Sequence, residues 1–292
     1  MKLRLLLVLV LAALLLHAAG DPLPRRRAFR KEVRANPAAA ARYLKDPDPE
    51  IREYALYLQF KAAQEANLSL MRAALGDPEE RIRLMAVQVM TAMLNRHPEL
   101  RADLDKVSRE DASLEVRNAA GNATWPFRRT VKLLRNDPNW DHEITLVKRI
   151  DLPKDGWKFQ TDPEQNGHWR KLYDPGLDDA KWGTISLVHW EKQGHPDYDG
   201  VAWYRIKFTA PAKPACNAVE IHFAGVDESA WVWLNGIYLG AHNLGAPGWK
   251  IPFAVDATRE IRWNAENQLT VRVLDRAQAG GIFKPVWIEI LK

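Results

Sequence analysis

Apolar positions recur with two different periods along this chain, and the period changes once. In the first part they follow i, i+3, i+4, i+7, as in Ile51, Tyr54, Ala55 and Leu58 and again in Ile82, Met85, Ala86 and Val89. That spacing predicts helices with one apolar stripe each, a stripe that a lone helical pair cannot bury. Beyond Asp137-Pro138 the pattern becomes short runs bounded by Gly, Pro and Asp. Strands are expected near 144–150, 184–187, 201–208, 219–223, 230–234, 237–239, 269–274 and 286–290. Many short strands at that spacing signal an antiparallel sandwich or barrel. Asn235-Gly236 supplies the two positive-φ residues of a type I′ hairpin. Its register puts Ala230, Val232 and Leu234 on one face and Trp231 and Trp233 on the other, so both faces of that strand are apolar. An exposed Trp231 would mark a contact surface.

Composition sharpens the boundary. All 12 tryptophans fall at Trp125 or later, while the preceding part is rich in the helix formers Ala, Leu, Arg and Glu. Within it a phrase repeats: Leu44-Lys45-Asp46-Pro47 with Ile51-Arg52 and Ala55, then Leu75-Gly76-Asp77-Pro78 with Ile82-Arg83 and Ala86, at an offset of 31. A fainter copy at Asp111, Val116-Arg117 and Ala120 is shifted by 34. Each copy reads as a helix, an Asp-Pro turn and a second helix, so the first part is a repeat array. The phrase resembles the HEAT repeat, particularly its shorter variety, from roughly Asn36 to Ala123. The resemblance implies a helical-hairpin stack, and with about three units a spacer or docking role is expected.

The amino terminus reads as an export signal, with Lys2 and Arg4 ahead of the 12-residue apolar run Leu5–Leu16 and then Ala18-Ala19-Gly20. A membrane span takes about 20 residues, so cleavage before Asp21 and a secreted or periplasmic, bacterial protein are expected. The net charge of +5 becomes +3 once Lys2 and Arg4 are removed. That imbalance is weak, and the cluster Arg25-Arg26-Arg27 with Arg30 reads as a solvated arm, so nucleic acid is not an expected partner. Cys216 is the single thiol and excludes an internal disulfide.

The C-terminal motifs then take on a familiar order. Tyr198-Asp199-Gly200-Val201-Ala202-Trp203-Tyr204-Arg205 is followed by Phe223-Ala224-Gly225-Val226-Asp227 and Ala230-Trp231-Val232-Trp233-Leu234-Asn235-Gly236. Leu239-Gly240-Ala241-His242, Pro252-Phe253-Ala254-Val255-Asp256-Ala257-Thr258 and Gly280-Gly281-Ile282 with Pro285-Val286 complete the series. Together they resemble the N-terminal sugar-binding domain of glycoside hydrolase family 2, a galactose-binding-like jelly roll. The resemblance runs from near Ile144 to Lys292 and implies an antiparallel jelly-roll β-sandwich beside which the parent enzymes carry a separate catalytic (β/α)₈ barrel. This sequence holds no segment of that kind, and no G-x-S-x-G motif, so a non-catalytic protein is expected. The acidic pair Asp227-Glu228 reads as turn chemistry.

The domain organisation expected is therefore a signal peptide at 1–20, HEAT-like helical repeats at 21–124, a linker at 125–139 and the sandwich at 140–292. The function expected is exported carbohydrate recognition, with a protein-interaction module of a polysaccharide-degrading assembly, or an accessory or fragment of a glycoside hydrolase, as the alternatives. Partners would be a glycan and another exported protein. Sugar contacts are sought among loop residues combining aromatic faces with carboxylates, amides and Arg: Trp190, Glu191, His195, Tyr198 and Asp199 on one loop, with Trp249 and Arg276 on others. Trp190 and Tyr198 could instead close the sandwich end, Trp249 could fold over the sheet, and Arg276 could be a plain surface residue. No cofactor is expected. Calcium is the one ion considered, at Asp174, Asp178 and Asp179, where turn and cap roles compete. The scattered histidines give zinc no support.

Overall fold

The computed structural model describes residues 24–63 and 66–292. The expected export signal lies outside the described residues. Among these, no helix is long and apolar enough to cross a membrane. The chain divides into two compact units between Trp125 and Pro126.

The first unit holds helices α1 (Pro24–Ala35), α2 (Pro49–Ala62), α3 (Leu68–Ala74), α4 (Glu80–Met93), α5 (Leu100–Glu110) and α6 (Leu114–Ala123). Ile51 and Ala55 of α2 are buried with Phe29, Val33 and Ala40. Ile82, Ala86 and Met90 of α4 join Met71, Leu100, Leu104, Val116 and Ala120 in a second core. The repeated Asp and Arg of the sequence phrase do one job at each turn. Asp46, Asp77 and Asp111 each accept the N–H two residues on, from Asp48, Glu79 and Ser113, at 2.8–2.9 Å. Arg52, Arg83 and Arg117 return to the carbonyl of their own turn aspartate at 2.8–3.0 Å. Arg52 then forks onto Asp77 at 2.9 and 2.7 Å, and Arg83 onto Asp111 at 2.8 and 3.0 Å. Arg52 and Arg83 thus each tie their own turn to the next one, and Arg117 closes the last turn on itself, which is why Asp and Arg recur six residues apart in every copy.

The second unit is built on two antiparallel sheets. The strands are β1 (Leu146–Asp151), β2 (Trp157–Asp162), β3 (Gly183–Ile185), β4 (Gly200–Thr209), β5 (Ala218–Phe223), β6 (Ser229–Leu234), β7 (Ile237–Asn243), β8 (Phe253–Asp256), β9 (Glu266–Asp275) and β10 (Val286–Leu291). One sheet has the order β1-β10-β5-β8 and the other β3-β2-β4-β9-β6-β7. Alternate residues, among them Phe159, Ala202, Tyr204, Ile221, Val232, Val271 and Ile288, form a single apolar core. The Asn235-Gly236 turn has φ of 54° and 83°, the conformation expected of a type I′ hairpin. Strands β2 and β8 were not among those expected from the sequence.

Every residue of β6 is buried. Ala230, Val232 and Leu234 point to the core. On the opposite face Trp233 stacks on Tyr173 with 5.4 Å between centroids and meets Phe127 edge-on at 5.1 Å. Trp231 is 8% exposed with the Arg272 guanidinium 4.4 Å over its ring. The expectation of an open patch at Trp231 is therefore corrected: cation–π cover closes that face. Phe127 belongs to the stretch expected to be a linker, and this stretch lies against the sandwich. Arg129 binds Asp256 at 3.1 Å and Glu260 at 2.8 Å, and Arg135 binds Glu220 at 2.9 Å.

Replacing Arg83 by Ala leaves the 95%-buried Asp111 side chain without its fork and is expected to lower the stability of the helical unit by roughly 2 kcal/mol, read by urea denaturation followed by helical circular dichroism. No change would show that the ladder is not a stabilising contact.

Candidate carbohydrate-binding end of the sandwich

The strand register assembles the candidate site. Ser229 of β6 pairs with Leu274 of β9, so Glu228 leaves the sheet beside Asp275. Gly200 of β4 pairs with Asp275, so Asp199 emerges at the same edge near Arg276. The returning loop closes the arrangement through an isolated bridge between Val226 and Ile282. Asp227 N–H donates to Gly281 O at 3.0 Å, and Trp190 N–H donates to Gly280 O at 3.2 Å. Gly280 N–H in turn donates to Glu191 Oε1 at 2.8 Å. A side chain at Gly280 would stand 2.2 Å from the Trp190 ring and 2.6 Å from Asp275 Oδ2, so only glycine lets the loop approach.

Carboxylates dominate this end. Asp275 is wholly buried, and its Oδ2, like Oε2 of Glu191, has no hydrogen-bond partner. Burial, followed by the charge of Asp275, pushes the Asp227 carboxyl up to about 7. Burial, then the charges of Asp199, Glu228 and Glu191, pushes Asp275 up to about 6. Against them stands Arg276, 2.9 Å from Glu228 Oε2 with its side chain 53% exposed. Glu228 itself has φ of 47°, a left-handed backbone uncommon for a non-glycine residue.

The residues expected from the sequence separate into two groups. Glu191, Asp199 and Arg276 are gathered at this end by the contacts above. Trp249 is 46% exposed, with the Lys250 ammonium 5.0 Å from its ring centre. Its neighbour Gly248 lies close enough to Glu228 that a Cβ there would come within 2.2 Å of the Glu228 carbonyl oxygen. The segment that carries the exposed ring is thereby packed against the Glu228 backbone. Trp190 is corrected: it has no exposed surface, donates to Tyr198 O at 3.0 Å and is covered by Phe159 and Tyr198. No face of it is left for a sugar ring. Tyr198 is half-buried and its hydroxyl serves the backbone, donating to Val201 O at 2.5 Å and accepting from Asp162 N–H at 3.3 Å. His195 rests on Phe159 with 5.0 Å between centroids. These three build the floor under the loop. Asp227, Glu228 and Asp275 were not among the expected contacts; Asp227 does sit in a turn, as the sequence suggests, but the residue is buried near other acids.

Of the aspartates considered for calcium, Asp174 and Asp178 take the turn role set against it. Asp174 and Asp178 accept the N–H groups of Gly176 and Ala180 at 2.8 and 2.9 Å. Asp179 pairs with the buried Arg205 at 3.2 Å, and Arg205 also donates to the Asp174 carbonyl at 2.9 Å. A guanidinium therefore already organises this loop. Among the described residues, the group whose ligand atoms converge is Glu220, His222 and Glu289, on the other sheet.

Comparison with known proteins bears on the same region. Residues 170–278 match the family described as the β-galactosidase second all-beta domain. The chain is 29% identical over 166 residues to β-galactosidase BoGH2A of Bacteroides ovatus, covering 50% of this chain and 18% of that protein. It is 32% identical over 136 residues to a β-galactosidase of Thermoanaerobacter pseudethanolicus, covering 39% and 18%. With a β-glucuronidase of Formosa agariphila it shares 31% identity over 132 residues, covering 40% and 12%. The chain thus spans less than a fifth of the length of these relatives. Among solved structures, the β-glucuronidase of Ruminococcus gnavus in complex with uronic deoxynojirimycin overlaps 51% of this chain and 30% of that one, at 19% identity and a TM-score of 0.44. The family match and the relatives support a domain of the glycoside hydrolase family 2 kind in the C-terminal unit. The matched description names a second all-beta domain, where the motifs resemble the N-terminal sugar-binding domain.

Two outcomes follow from the geometry. Asp227 and Asp275 hold protons more tightly in the folded chain than unfolded, where Asp titrates near ~3.9. The folded state then binds the extra protons, so stability contributed by these groups is present at low pH and is lost as pH rises from about 4 through about 7. Denaturation midpoints of the sandwich should fall across that range, and Asp275→Asn should flatten the fall; an unchanged slope would contradict the shared burial. Gly280→Ala should destabilise the sandwich by about 1–3 kcal/mol through overpacking against Trp190, measured as a lowered Tm.

Proposed function

We propose that this chain is an exported, secreted or periplasmic, non-catalytic carbohydrate-binding protein. The sandwich recognises a glycan at the end formed by Glu191, Asp199, Asp227, Glu228, Asp275, Arg276 and Trp249, and a HEAT-like first unit serves as spacer or docking platform for another exported protein. The observation that carries the reading is the partly exposed Trp249, on a segment packed against the Glu228 backbone at the acid-rich end of the sandwich. Rings stack on the C–H faces of sugars while carboxylates accept from hydroxyls. The relatives named β-galactosidase and β-glucuronidase support a glycoside as ligand. Five acids against the two cations Arg276 and Lys250 favour a neutral sugar such as a galactoside over a uronic acid, whose carboxylate would meet an excess of like charge.

A second reading, a role tied directly to glycoside hydrolysis, is favoured by the carboxyl of Asp227, which burial and the charge of Asp275 hold at about 7, the range of a general acid. Calorimetric titration of the full chain with galactosides and glucuronides separates sugar from no sugar. Trp249→Ala is expected to weaken a galactoside about tenfold, which corresponds to ~1.4 kcal/mol. Absence of heat with every glycoside, in a folded protein, would leave the protein-interaction role instead. Chromogenic glycosides should not turn over; hydrolysis abolished by Asp227→Asn would replace the binding reading with an enzymatic one.

A further inference from the structure

We infer that Glu220, His222 and Glu289, on the outer face of the β1-β10-β5-β8 sheet, form a divalent transition-metal site with Arg135 as the cation that holds it closed. Glu220 and Glu289 face each other across the β5–β10 pairing, and His222 lies two residues from Glu220 on the same face. One ligand atom from each lies within 4.8 Å of the others. His222 Nε2 is 3.2 Å from Glu220 Oε2 and 3.3 Å from Glu289 Oε2. The nitrogen is buried, with both carboxylate oxygens within ion-pair distance. A tetrahedral ion with bonds of about 2.0–2.1 Å has ligands about 3.3 Å apart, which matches both distances.

The surroundings orient the three groups as an outer shell does. Glu220 Oε1 accepts Leu134 N–H at 3.2 Å, and Glu289 Oε1 accepts Trp287 Nε1–H at 2.9 Å. Both Oε2 atoms are thereby turned inward. The imidazole is stacked on Trp287, 5.2 Å between centroids and 10° from parallel. Arg135 Nη2 sits 2.9 and 3.3 Å from the same two oxygens, while its side chain is 46% exposed. Two carboxylates directly opposite on neighbouring strands repel, so a cation is needed there. Two carboxylates and one imidazole suit Zn²⁺ or Mn²⁺ better than Ca²⁺ or Mg²⁺, which prefer oxygen alone. Metal here would staple β5 to β10 and release Arg135.

The test is calorimetric titration of the full chain with ZnCl₂ or MnCl₂ at neutral pH, with CaCl₂ and MgCl₂ alongside. One equivalent of Zn²⁺ or Mn²⁺ should bind and raise the Tm of the sandwich. Arg135→Gln should tighten binding about tenfold by removing the competing cation, and His222→Gln should remove it. Glu289→Gln is a second loss-of-ligand variant should His222→Gln fail to fold. Binding that survives in either folded ligand variant, or that is unaffected by Arg135→Gln, would overturn the assignment, as would no binding by the Arg135→Gln protein.

Discussion

The structure of the C-terminal unit depends on one constraint: β6 is buried on both faces, so each face must find cover. The face carrying Ala230, Val232 and Leu234 is met by the facing sheet. The other face carries two indoles, and nothing within the strand can shield them. Tyr173 and Phe127 close over Trp233, and Arg272 lies over Trp231. Covering a large ring in this way removes apolar area worth about 2–3 kcal/mol per residue from water. The segment after Pro126 is drawn onto the sandwich by that need, with Arg129 and Arg135 anchoring it through ion pairs. An apparent linker becomes part of the fold.

The same strand sets the chemistry at one end. Because β9 is paired on one side with β4 and on the other with β6, three chain segments leave the sheet at one edge. Each brings an acid: Asp199, Asp275 and the Asp227-Glu228 turn. Burial and mutual repulsion then raise two of the carboxyls toward neutrality. A group near its pKa can either donate to or accept from a hydroxyl, which suits a ligand whose surface is a mixture of both. The Gly280-Gly281 turn seals the far side by bonding to Trp190, Glu191 and Asp227 together.

Much of this was legible in the sequence, and the losses have physical causes. Period and turn chemistry located the two units, the Asn235-Gly236 hairpin and eight strands. Strand β2, Trp-Lys-Phe-Gln-Thr-Asp, was hidden between polar turns, and β8 is only four residues long. The Asp and Arg of the repeated phrase were visible as recurring letters, but that Arg52 reaches Asp77 requires the stacking of successive turns. At the candidate site, Glu191, Asp199, Trp249 and Arg276 could be picked from loop composition. Trp190 could not be told from a platform, because composition does not reveal that Gly280 lies against its ring. Glu228 and Asp275 stand 47 residues apart and meet only through the β6–β9 register. A reading that had paired those two strands would have found them.

The central claim is that a neutral glycoside is held at the loop end of the sandwich. Hydrogen–deuterium exchange of the full chain, with and without a saturating galactoside, locates the contact directly. The account expects protection confined to residues 189–199, 226–229, 245–250 and 275–283. Protection on the outer face of either sheet, with these loops unchanged, would contradict it.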